Sequence, residues 1–418
     1  MDNIPKNQRV QIWKRFMVSL AGFLILSSGY AEELETLKIK VEETAGLSRD
    51  LEYLEVDLPL SWRDCGSRCS VSVFGENNTS IPTQIIETDE KNSGGLKLVF
   101  PVSIGALESK EYLLKKKGQA LEANSDLETS GSELDLVVEN KSILADFSGY
   151  VGVNDERLVA GHLGNLVLKE FGDIRLARND PKLKIHWSPN FKREDYDYKT
   201  MAHMTSIESL SISKGPLRVA LSKSGWVPGY EEIALRGEYR FYAGLPFFVF
   251  SSEMAFREDS ELELLRNDEM TMDRLFTHVV FPRPDGEVVD LPLYDDASSE
   301  ALEKEPIAYD APWLYFYNKN ESYAFGSIRV SYDNRNRAGG ESPTQGKYTS
   351  ITTTKNDGRY WDRKLIYGKS LYVPKGSRYR ETTAYIVFKV DENDLAGQIE
   401  YYRERLCNPL KVSYADES

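Results

Sequence analysis

The 418-residue sequence has few of the residues that most often mark a catalytic or metal site. It contains three cysteines and four histidines. It has no G-x-S-x-G, H-E-x-x-H, phosphate-loop or dinucleotide-binding glycine motif. These absences argue against a serine hydrolase and against a nucleotide-dependent enzyme. No fixed-period repeat is visible, which argues against a propeller or a β-helix.

Long apolar runs are scarce as well. The strongest one, residues 16–26, is too short to span a bilayer. It follows four basic residues and precedes the small residues Gly29 and Ala31. This order of basic, apolar and small segments is typical of a secretory signal peptide. We therefore expect residues 1–31 to be removed and the mature protein to be exported, to the periplasm or the medium, without a membrane span.

Basic charge is also in short supply. The chain has a formal net charge of −14, and the predicted signal peptide holds four basic residues and one acidic residue. Its removal takes away a net +3 and leaves the mature chain at −17. A protein this acidic lacks the basic surface that nucleic acids and anionic membranes require, so neither is an expected partner. A polyanionic substrate would need a local basic groove.

The cysteines and acidic loops do not predict a complete metal site. Cys65 and Cys69, in the stretch CGSRC, are close enough in an exported chain to form a local disulfide, which leaves Cys407 as a free thiol. Two cysteines without a neighbouring histidine do not complete a metal-ligand set. We predict no cofactor. The stretch LYDDASSE offers Asp295 and Asp296 as Ca²⁺ ligands, although a solvated turn is the simpler interpretation.

What the sequence does contain is a long series of β-like runs separated by turn residues, so the expected fold class is all-β. Residues 32–115 suit a small β-sandwich, and residues 116–132 are polar and aperiodic, as in a linker. Strand-like runs continue through residues 133–392, which is typical of one large antiparallel domain of stacked sheets. Residues 393–418 hold the one clear helical stripe and a tail.

Residues 232–256 predict two strands joined by a tight turn. Because strand side chains alternate, Arg236, Glu238, Arg240 and Tyr242 would share one face. That polar face is either an ordinary solvated surface or the floor of a binding groove. We favour the groove, with Arg236, Arg240 and Tyr242 as substrate-binding residues.

Aromatic residues are the strongest compositional signal, with 24 tyrosines and six tryptophans. Trp313, Tyr315 and Tyr317 would share one strand face, where rings can stack on the apolar faces of sugars. The alternative for each ring is the core between two sheets. Two other segments rich in aromatic and basic residues supply further candidates for substrate binding: His186, Trp187, Tyr360, Trp361 and Arg363.

Carboxylate binding and proton transfer have a small set of candidates. Arg266 and Asn267 follow a β-like run, and an arginine beside an asparagine can clamp a carboxylate. His203, His278 and Tyr198 are the candidates for moving a proton. The alternative interpretation is a hydrogen-bonded turn with an ion pair, together with histidines held for structural reasons.

The small N-terminal β region, the large β region and the segment GEYRFYAGLPFFVFSSEM running into LRNDEM together resemble the β-supersandwich of polysaccharide lyases and galactose-mutarotase-like proteins. The resemblance covers residues 133–390 and is architectural. It implies that the arginine and asparagine named above neutralise the carboxylate of a uronic acid, while a histidine or tyrosine moves a proton during β-elimination. The helical toroid domain that often accompanies such lyases is not visible in this sequence.

The leading hypothesis is an exported polysaccharide lyase that cleaves a uronic-acid-containing glycan. One alternative is a non-catalytic glycan-binding module of an exported carbohydrate-uptake system. Another is a glycoside hydrolase, for which Glu238, Asp268 and Glu269 supply carboxylates whose spacing in sequence says nothing about their separation in space. In each case the expected partner is a polysaccharide or an oligosaccharide.

Overall fold

The computed structural model describes residues 35–59, 61–62, 70–88, 95–116, 121–151, 156–176, 183–353 and 358–414. The predicted signal peptide and the predicted disulfide between Cys65 and Cys69 lie outside the described residues, so both stay predictions. No helix within the described ranges is long and apolar enough to cross a membrane.

The described chain folds almost entirely into antiparallel strands. The strands of the N-terminal region are β1 Thr36–Glu42, β2 Arg49–Asp57, β3 Val71–Phe74, β4 Ser80–Ile81, β5 Gln84–Thr88, β6 Gly95–Ile104 and β7 Ser109–Lys116. Shorter strands follow: β8 Glu128–Ser132, β9 Asp135–Glu139, β10 Ile143–Asp146, β11 Tyr150–Val151, β12 Arg157–Leu158, β13 Asn165–Leu168, β14 Ile174–Leu176, β15 Asn190–Lys192 and β16 Lys199–Thr200. The remaining strands are β17 Ser206–Ser213, β18 Arg218–Trp226, β19 Ile233–Tyr242, β20 Phe247–Phe256, β21 Ser260–Met272, β22 His278–Pro282, β23 Val288–Pro292, β24 Trp313–Tyr317, β25 Tyr323–Asp333, β26 Tyr348–Thr353, β27 Arg359–Val373, β28 Arg378–Lys389 and β29 Lys411–Tyr414.

The N-terminal strands form a sandwich of two sheets, in the orders β29-β1-β7-β3-β4 and β2-β6-β5. Alternating apolar side chains of these strands meet in a core of their own, which contains Val41, Leu98, Phe100 and Leu114. The last strand, β29, pairs antiparallel with β1, so the C-terminal segment returns to this sandwich. The all-β prediction, including the small N-terminal sandwich, is confirmed.

The large region stacks a nine-stranded sheet against two smaller sheets. The nine strands run in the order β17-β18-β19-β20-β28-β25-β24-β22-β23. One smaller sheet has the order β14-β13-β10-β9-β8, and the other, which we call the bulged sheet, has the order β16-β15-β21-β27-β26. Inward-facing apolar residues of all three sheets share one core, for example Leu166, Phe248 and Trp361. Strand β8 lies inside the segment predicted as a linker.

The described residues contain two α-helices, α1 Asp296–Lys304 and α2 Gly397–Cys407. Helix α2 confirms the predicted C-terminal helix, and its Ile399 packs on the face of the nine-stranded sheet that points away from the bulged sheet. Helix α1 was not predicted. Its first residues are the acidic stretch interpreted as a turn, and the Asp295 carboxylate accepts hydrogen bonds from the Ser298 backbone N–H and hydroxyl at 3.0 and 3.1 Å. Asp295 thus acts as a helix cap here.

Candidate functional site

A β-bulge in β21 positions the polar residues of the bulged sheet. The register between β21 and β27 shifts on both sides of Arg266, and Asn267 has no partner residue in the ladder. In a regular strand Arg266 and Glu269, three residues apart, would point to opposite faces. The extra residue brings both to the outer face, the side away from the nine-stranded sheet, while Asp268 points inward.

The outer face carries a compact charged cluster. Glu269 and Asp362 are direct cross-strand partners. Arg266 lies between them, with Nη1 2.8 Å from Glu269 Oε2 and Nε 3.4 Å from Asp362 Oδ1. Lys364 Nζ is 3.1 Å from Asp362 Oδ1 and donates a hydrogen bond of 3.1 Å to the Tyr348 hydroxyl. The arginine and the lysine of this cluster are therefore both paired with carboxylates.

Tyrosines surround this cluster. Tyr198, Tyr348 and Tyr360 are each half-buried. Burial raises the pKa of Tyr198 well above its ordinary value, and the nearby carboxylate of Glu269 adds to the rise. Burial also raises the pKa of Tyr360. We call the set formed by the charged cluster and these rings the tyrosine face; it comprises Tyr198, Arg266, Glu269, Tyr348, Tyr360, Asp362 and Lys364.

The tyrosine face combines proton donors and acceptors that suit sugar hydroxyls. Burial raises the pKa of Glu269, and this effect outweighs the opposing charge of Arg266. Burial lowers the pKa of Lys364. Neutral phenols donate and accept hydrogen bonds, and carboxylates accept them in pairs. A carboxyl group with a raised pKa beside a second carboxylate is also a common arrangement for acid–base chemistry.

His203 and Trp187 lie beside Tyr198. The buried ring of Trp187 belongs to a small apolar cluster against which Tyr198 packs. The His203 ring centroid is 6.3 Å from that of Trp187, and its Nε2 is 2.9 Å from Glu156 Oε1. Burial lowers the pKa of His203, whereas Glu156 raises it. The structure therefore places two predicted site residues, both buried, next to Tyr198 of the tyrosine face.

The inner side of the bulged sheet is different. Asp268 accepts hydrogen bonds from four donors: the Ser327 hydroxyl at 2.7 Å, the Tyr385 hydroxyl at 2.9 Å, Trp361 Nε1 at 3.1 Å and Arg363 Nε at 3.1 Å. All are buried between the sheets. Trp361 and Arg363 were predicted to bind substrate, and that interpretation is wrong because strand alternation turns them inward while it turns Tyr360 and Asp362 outward.

Two other predicted residues are also enclosed. His186 stacks on His162 at a centroid distance of 4.7 Å, and its Nδ1 and Nε2 lie 2.5 Å from the Tyr239 hydroxyl and 2.8 Å from the Ser188 hydroxyl. Burial lowers its pKa to about 3. A fully buried neutral imidazole cannot form the groove wall we expected. The Asn267 amide is 3% exposed and makes no hydrogen bond to any described residue, so no carboxylate clamp with Arg266 is visible.

Two buried lysines lie near these histidines. Lys184 Nζ donates to the Ser148 carbonyl, and Lys223 Nζ donates to the Ala160 carbonyl at 3.2 Å. Burial lowers the pKa of each lysine to about 7. These groups belong to the interior and not to an open face.

The aromatic row on β24 belongs to the core. Trp313 and Tyr315 are completely buried beneath α2. Trp313 Nε1 donates to Glu400 Oε1 at 2.6 Å, and the Tyr315 hydroxyl donates to the Leu395 carbonyl at 2.8 Å. Their predicted role in sugar stacking is therefore wrong, and the core alternative holds. Helix α2 covers the face on which these rings were expected to be exposed.

His278 lies apart from the tyrosine face. It is on β22, next to β23 and β24 in the nine-stranded sheet, and its Nδ1 is 2.8 Å from the Thr277 hydroxyl. Burial lowers its pKa. The predicted grouping of His278 with Arg266 is not found in this structure.

Arg236, Arg240 and Tyr242 share one face, as predicted, but on the nine-stranded sheet and not on the bulged sheet. Tyr242 is held by the N-terminal sandwich, because its hydroxyl donates to Glu55 Oε1 at 2.7 Å and its ring stacks on Tyr53 at 5.4 Å. The sequence-predicted residues thus divide between two outer surfaces and a buried interior.

Sequence reasoning missed Asp362, Lys364 and Tyr348. The signal for the first two was available in the segment RYWDRKLIY, residues 359–367, because residues 360, 362 and 364 must share a face of one strand. Tyr348 joins them only through the pairing of β26 with β27, which sets it opposite Lys364.

No protein-family model matches the sequence, and no curated protein matches it significantly. Solved structures match its fold. A glycosyl hydrolase family 38 protein from Enterococcus faecalis aligns over 92% of this chain and 48% of its own, with a TM-score of 0.53 and 9% identity. An α-mannosidase from Enterococcus faecalis V583 aligns over 92% of this chain and 46% of its own, with a TM-score of 0.52 and 9% identity.

The chain therefore spans about half the length of these two structures. At such low identity the likeness establishes a shared fold and leaves activity open. The predicted resemblance is confirmed as a fold shared with carbohydrate-active β proteins, and the finer likeness to polysaccharide lyases stays a prediction.

Proposed function

We propose that this protein is carbohydrate-active and that the tyrosine face binds a sugar. The observation that carries the proposal is the position of three tyrosines around paired carboxylates and cations on one outer sheet face. Tyrosine rings stack on the apolar faces of sugar rings, and their hydroxyls reach polar groups. Carboxylates and the guanidinium offer paired hydrogen bonds to adjacent sugar hydroxyls. Export of the mature chain, predicted from its first residues, belongs to the same proposal.

The arrangement of charges favours a neutral sugar at this face. Arg266 is shared by Glu269 and Asp362, and Lys364 is paired with Asp362. A uronate carboxylate would have to replace one of these partners. The raised pKa of Glu269 makes its protonation the easiest way to free the arginine.

Two reactions follow from this geometry. Hydrolysis is favoured by the cross-strand carboxyl groups, with Glu269 as the proton donor and Asp362 as the second carboxyl group. The β-elimination inferred from the sequence is the second candidate, with Arg266 holding a uronate, His203 removing the proton at C5 and Tyr198 protonating the leaving oxygen.

Product analysis tests both reactions. The purified protein is incubated with neutral and uronate-containing polysaccharides, and new reducing ends and unsaturated uronates are measured separately. Hydrolysis yields reducing ends alone and is lost in Glu269→Gln and Asp362→Asn. β-Elimination yields unsaturated uronate and is lost in Tyr198→Phe. The exposed Glu128 supplies a matched control, Glu128→Gln, which should behave as the parent protein.

Binding without either product would identify the protein as a glycan-binding module. Calorimetric titration with the same panel measures that outcome. If no glycan binds, or if Glu269→Gln, Asp362→Asn and Tyr198→Phe all bind as the parent does, the tyrosine face is not the sugar site.

A further inference from the structure

A second polar surface lies on the outer side of the nine-stranded sheet, away from the tyrosine face. Two adjoining cavities of about 260 and 460 Å³ lie along it. Both are lined by Arg236, Glu238 and Arg240 of β19. One cavity extends to Glu55 and Lys97 of the N-terminal sandwich. We call this surface the arginine groove.

A row of six side chains runs along the floor of the arginine groove, and all but Glu238 carry a hydroxyl group. The strand register places the members of the row side by side on six neighbouring strands, in the order Ser211, Ser222, Glu238, Ser251, Thr382 and Ser331. Neighbouring strands are about 4.8 Å apart, so the row is about 24 Å long. Its direction is perpendicular to the strands. An extended polymer of several sugar residues would fit along such a row.

Most charges of the groove are already paired. Arg218 Nε is 2.8 Å from Glu55 Oε1, Arg240 Nε is 3.4 Å from Glu238 Oε1, and Arg380 Nη1 is 2.8 Å from Asp333 Oδ2. Within each pair the two opposite charges largely cancel, so the pair contributes little to the electrostatic potential at a bound ligand.

Two charged side chains of the groove are exceptions: the exposed Glu87, which lines one cavity, and Arg236 at the centre of the groove. Arg236 is the cation of the two. It is exposed and lines both cavities. Among the described residues, none forms an ion pair or a hydrogen bond with its guanidinium. Its cross-strand neighbours are Ser224 and Glu253, and Glu253 is within ion-pair distance of Arg378 and Arg380 instead. A free guanidinium presents a planar fork that matches a carboxylate or a sulfate.

We propose that the arginine groove binds a sugar chain that carries an anionic group, either a carboxylate or a sulfate. The anionic group pairs with Arg236, and the ring hydroxyls contact the hydroxyl row. The site is distinct from the tyrosine face, because it lies on another sheet and uses other residues. It therefore stands whether or not the tyrosine face binds a sugar.

The charges around the groove predict how its affinity for an anionic sugar chain depends on salt concentration. The protein as a whole is acidic, with a formal net charge of −14, so an anionic chain is repelled at long range and attracted only near Arg236. One ion pair at a partly exposed site is screened by salt. We expect modest affinity that weakens as salt is added.

Calorimetric titration of the full chain tests the proposal with three ligands of equal length: a uronate oligosaccharide, a sulfated oligosaccharide and a neutral oligosaccharide. The variant is Arg236→Ala, and the control is Arg175→Ala, which removes an exposed arginine from β14 in another sheet. We expect Arg236→Ala to weaken binding of at least one anionic ligand about tenfold, and Arg175→Ala to leave it unchanged. The tighter of the two anionic ligands identifies the group that the groove accepts.

Further variants locate the binding. Thr382→Val should weaken the same ligand about threefold, since it removes one hydroxyl of the row. Lys141→Met, which removes an exposed cation outside the groove, should leave anionic binding intact. Equal affinity of Arg236→Ala and the parent for both anionic ligands would overturn the proposal. Superimposable thermal unfolding curves show that Arg236→Ala is folded.

Discussion

The inner and outer faces of the bulged sheet are both formed by β21 and β27, but their carboxylates have different surroundings. On the inner face, Asp268 accepts four hydrogen bonds from buried partners. On the outer face, Glu269 and Asp362 share one arginine, and the side chain of that arginine stays 12% exposed. The inner carboxylate is thus fully committed to protein groups. In the outer pair the Asp362 side chain is also fully buried, and the cluster meets solvent through Glu269, which is 7% exposed, and through the arginine.

This difference shows that a residue with a structural role and a residue with a proposed chemical role can be neighbours in the chain. Asp268 and Glu269 are consecutive residues, and only the alternation of the strand separates them. The inner network also holds the bulge in position, because its donors come from strands of both sheets, including Tyr385 of β28 and Arg363 of β27. Changes on the inner face should therefore affect folding, whereas changes on the outer face should affect binding and, at Arg266, folding as well.

The largest effect is expected from Asp268→Asn. The substitution leaves the buried guanidinium of Arg363 without its carboxylate and turns an amide donor toward other donors. We expect the free energy of unfolding to fall by about 3–5 kcal/mol. Denaturant unfolding measures it, with the exposed Asp50→Asn as a control that should change by less than about 0.5 kcal/mol. Similar losses in the two variants would show that the inner network is not structural.

Arg266→Met on the outer face should have the next largest effect. Glu269 and Asp362 would lose their shared cation, and we expect a loss of about 2–4 kcal/mol at about pH 8. The loss should be smaller at about pH 5. The pKa of Glu269 is raised in the folded state, so the stability it contributes is present at low pH and is lost as the pH rises through that raised value.

Urea unfolding of Arg266→Met at both pH values checks this expectation. Arg175→Met, which removes an exposed arginine from β14 in another sheet, supplies the control. A loss that does not depend on pH would mean that protonation of Glu269 does not compensate for the missing arginine.

Replacing a buried lysine should have an intermediate effect on the free energy of unfolding, and this effect should depend on pH. The pKa of Lys223 is lowered to about 7 by burial, so between pH 7 and the ordinary lysine value the unfolded chain holds a proton that the folded chain has released. The free energy of unfolding should therefore rise from about pH 7 to about pH 9. Lys223→Met should reduce this rise by about 1–2 kcal/mol. The exposed Lys141→Met should leave the rise unchanged, and an equal rise in both variants would contradict the assignment.

The smallest effect is expected from Tyr348→Phe on the tyrosine face. Lys364 loses one acceptor, and a bound sugar loses one hydroxyl contact, so affinity should fall about threefold to tenfold, or about 1 kcal/mol. Stability should change little, because the ring remains. Titration with a glycan that the parent binds measures the effect, and Tyr414→Phe near the C-terminus is the matched control. Unchanged affinity would place the sugar elsewhere on the sheet.

Much of the fold could be predicted from the sequence, because alternating apolar residues and turn residues mark strands directly. Helix α1 was missed, since its residues are mostly polar and only Ser298 is buried, so no apolar stripe marks it. The site was harder to predict. The bulge at Asn267 places Arg266 and Glu269 on one face, and a residue without a ladder partner cannot be identified from alternation alone.

The sequence by itself determined which side chains share a face within one strand: Arg236 with Arg240, Trp313 with Tyr315, and Tyr360 with Asp362. The tertiary structure alone decided which of these faces meets solvent. Helix α2 buries the β24 rings, and the nine-stranded sheet encloses Trp361 and Arg363. The physical reason is that alternation is a local property of the backbone, whereas the covering of a face depends on elements far away in the chain.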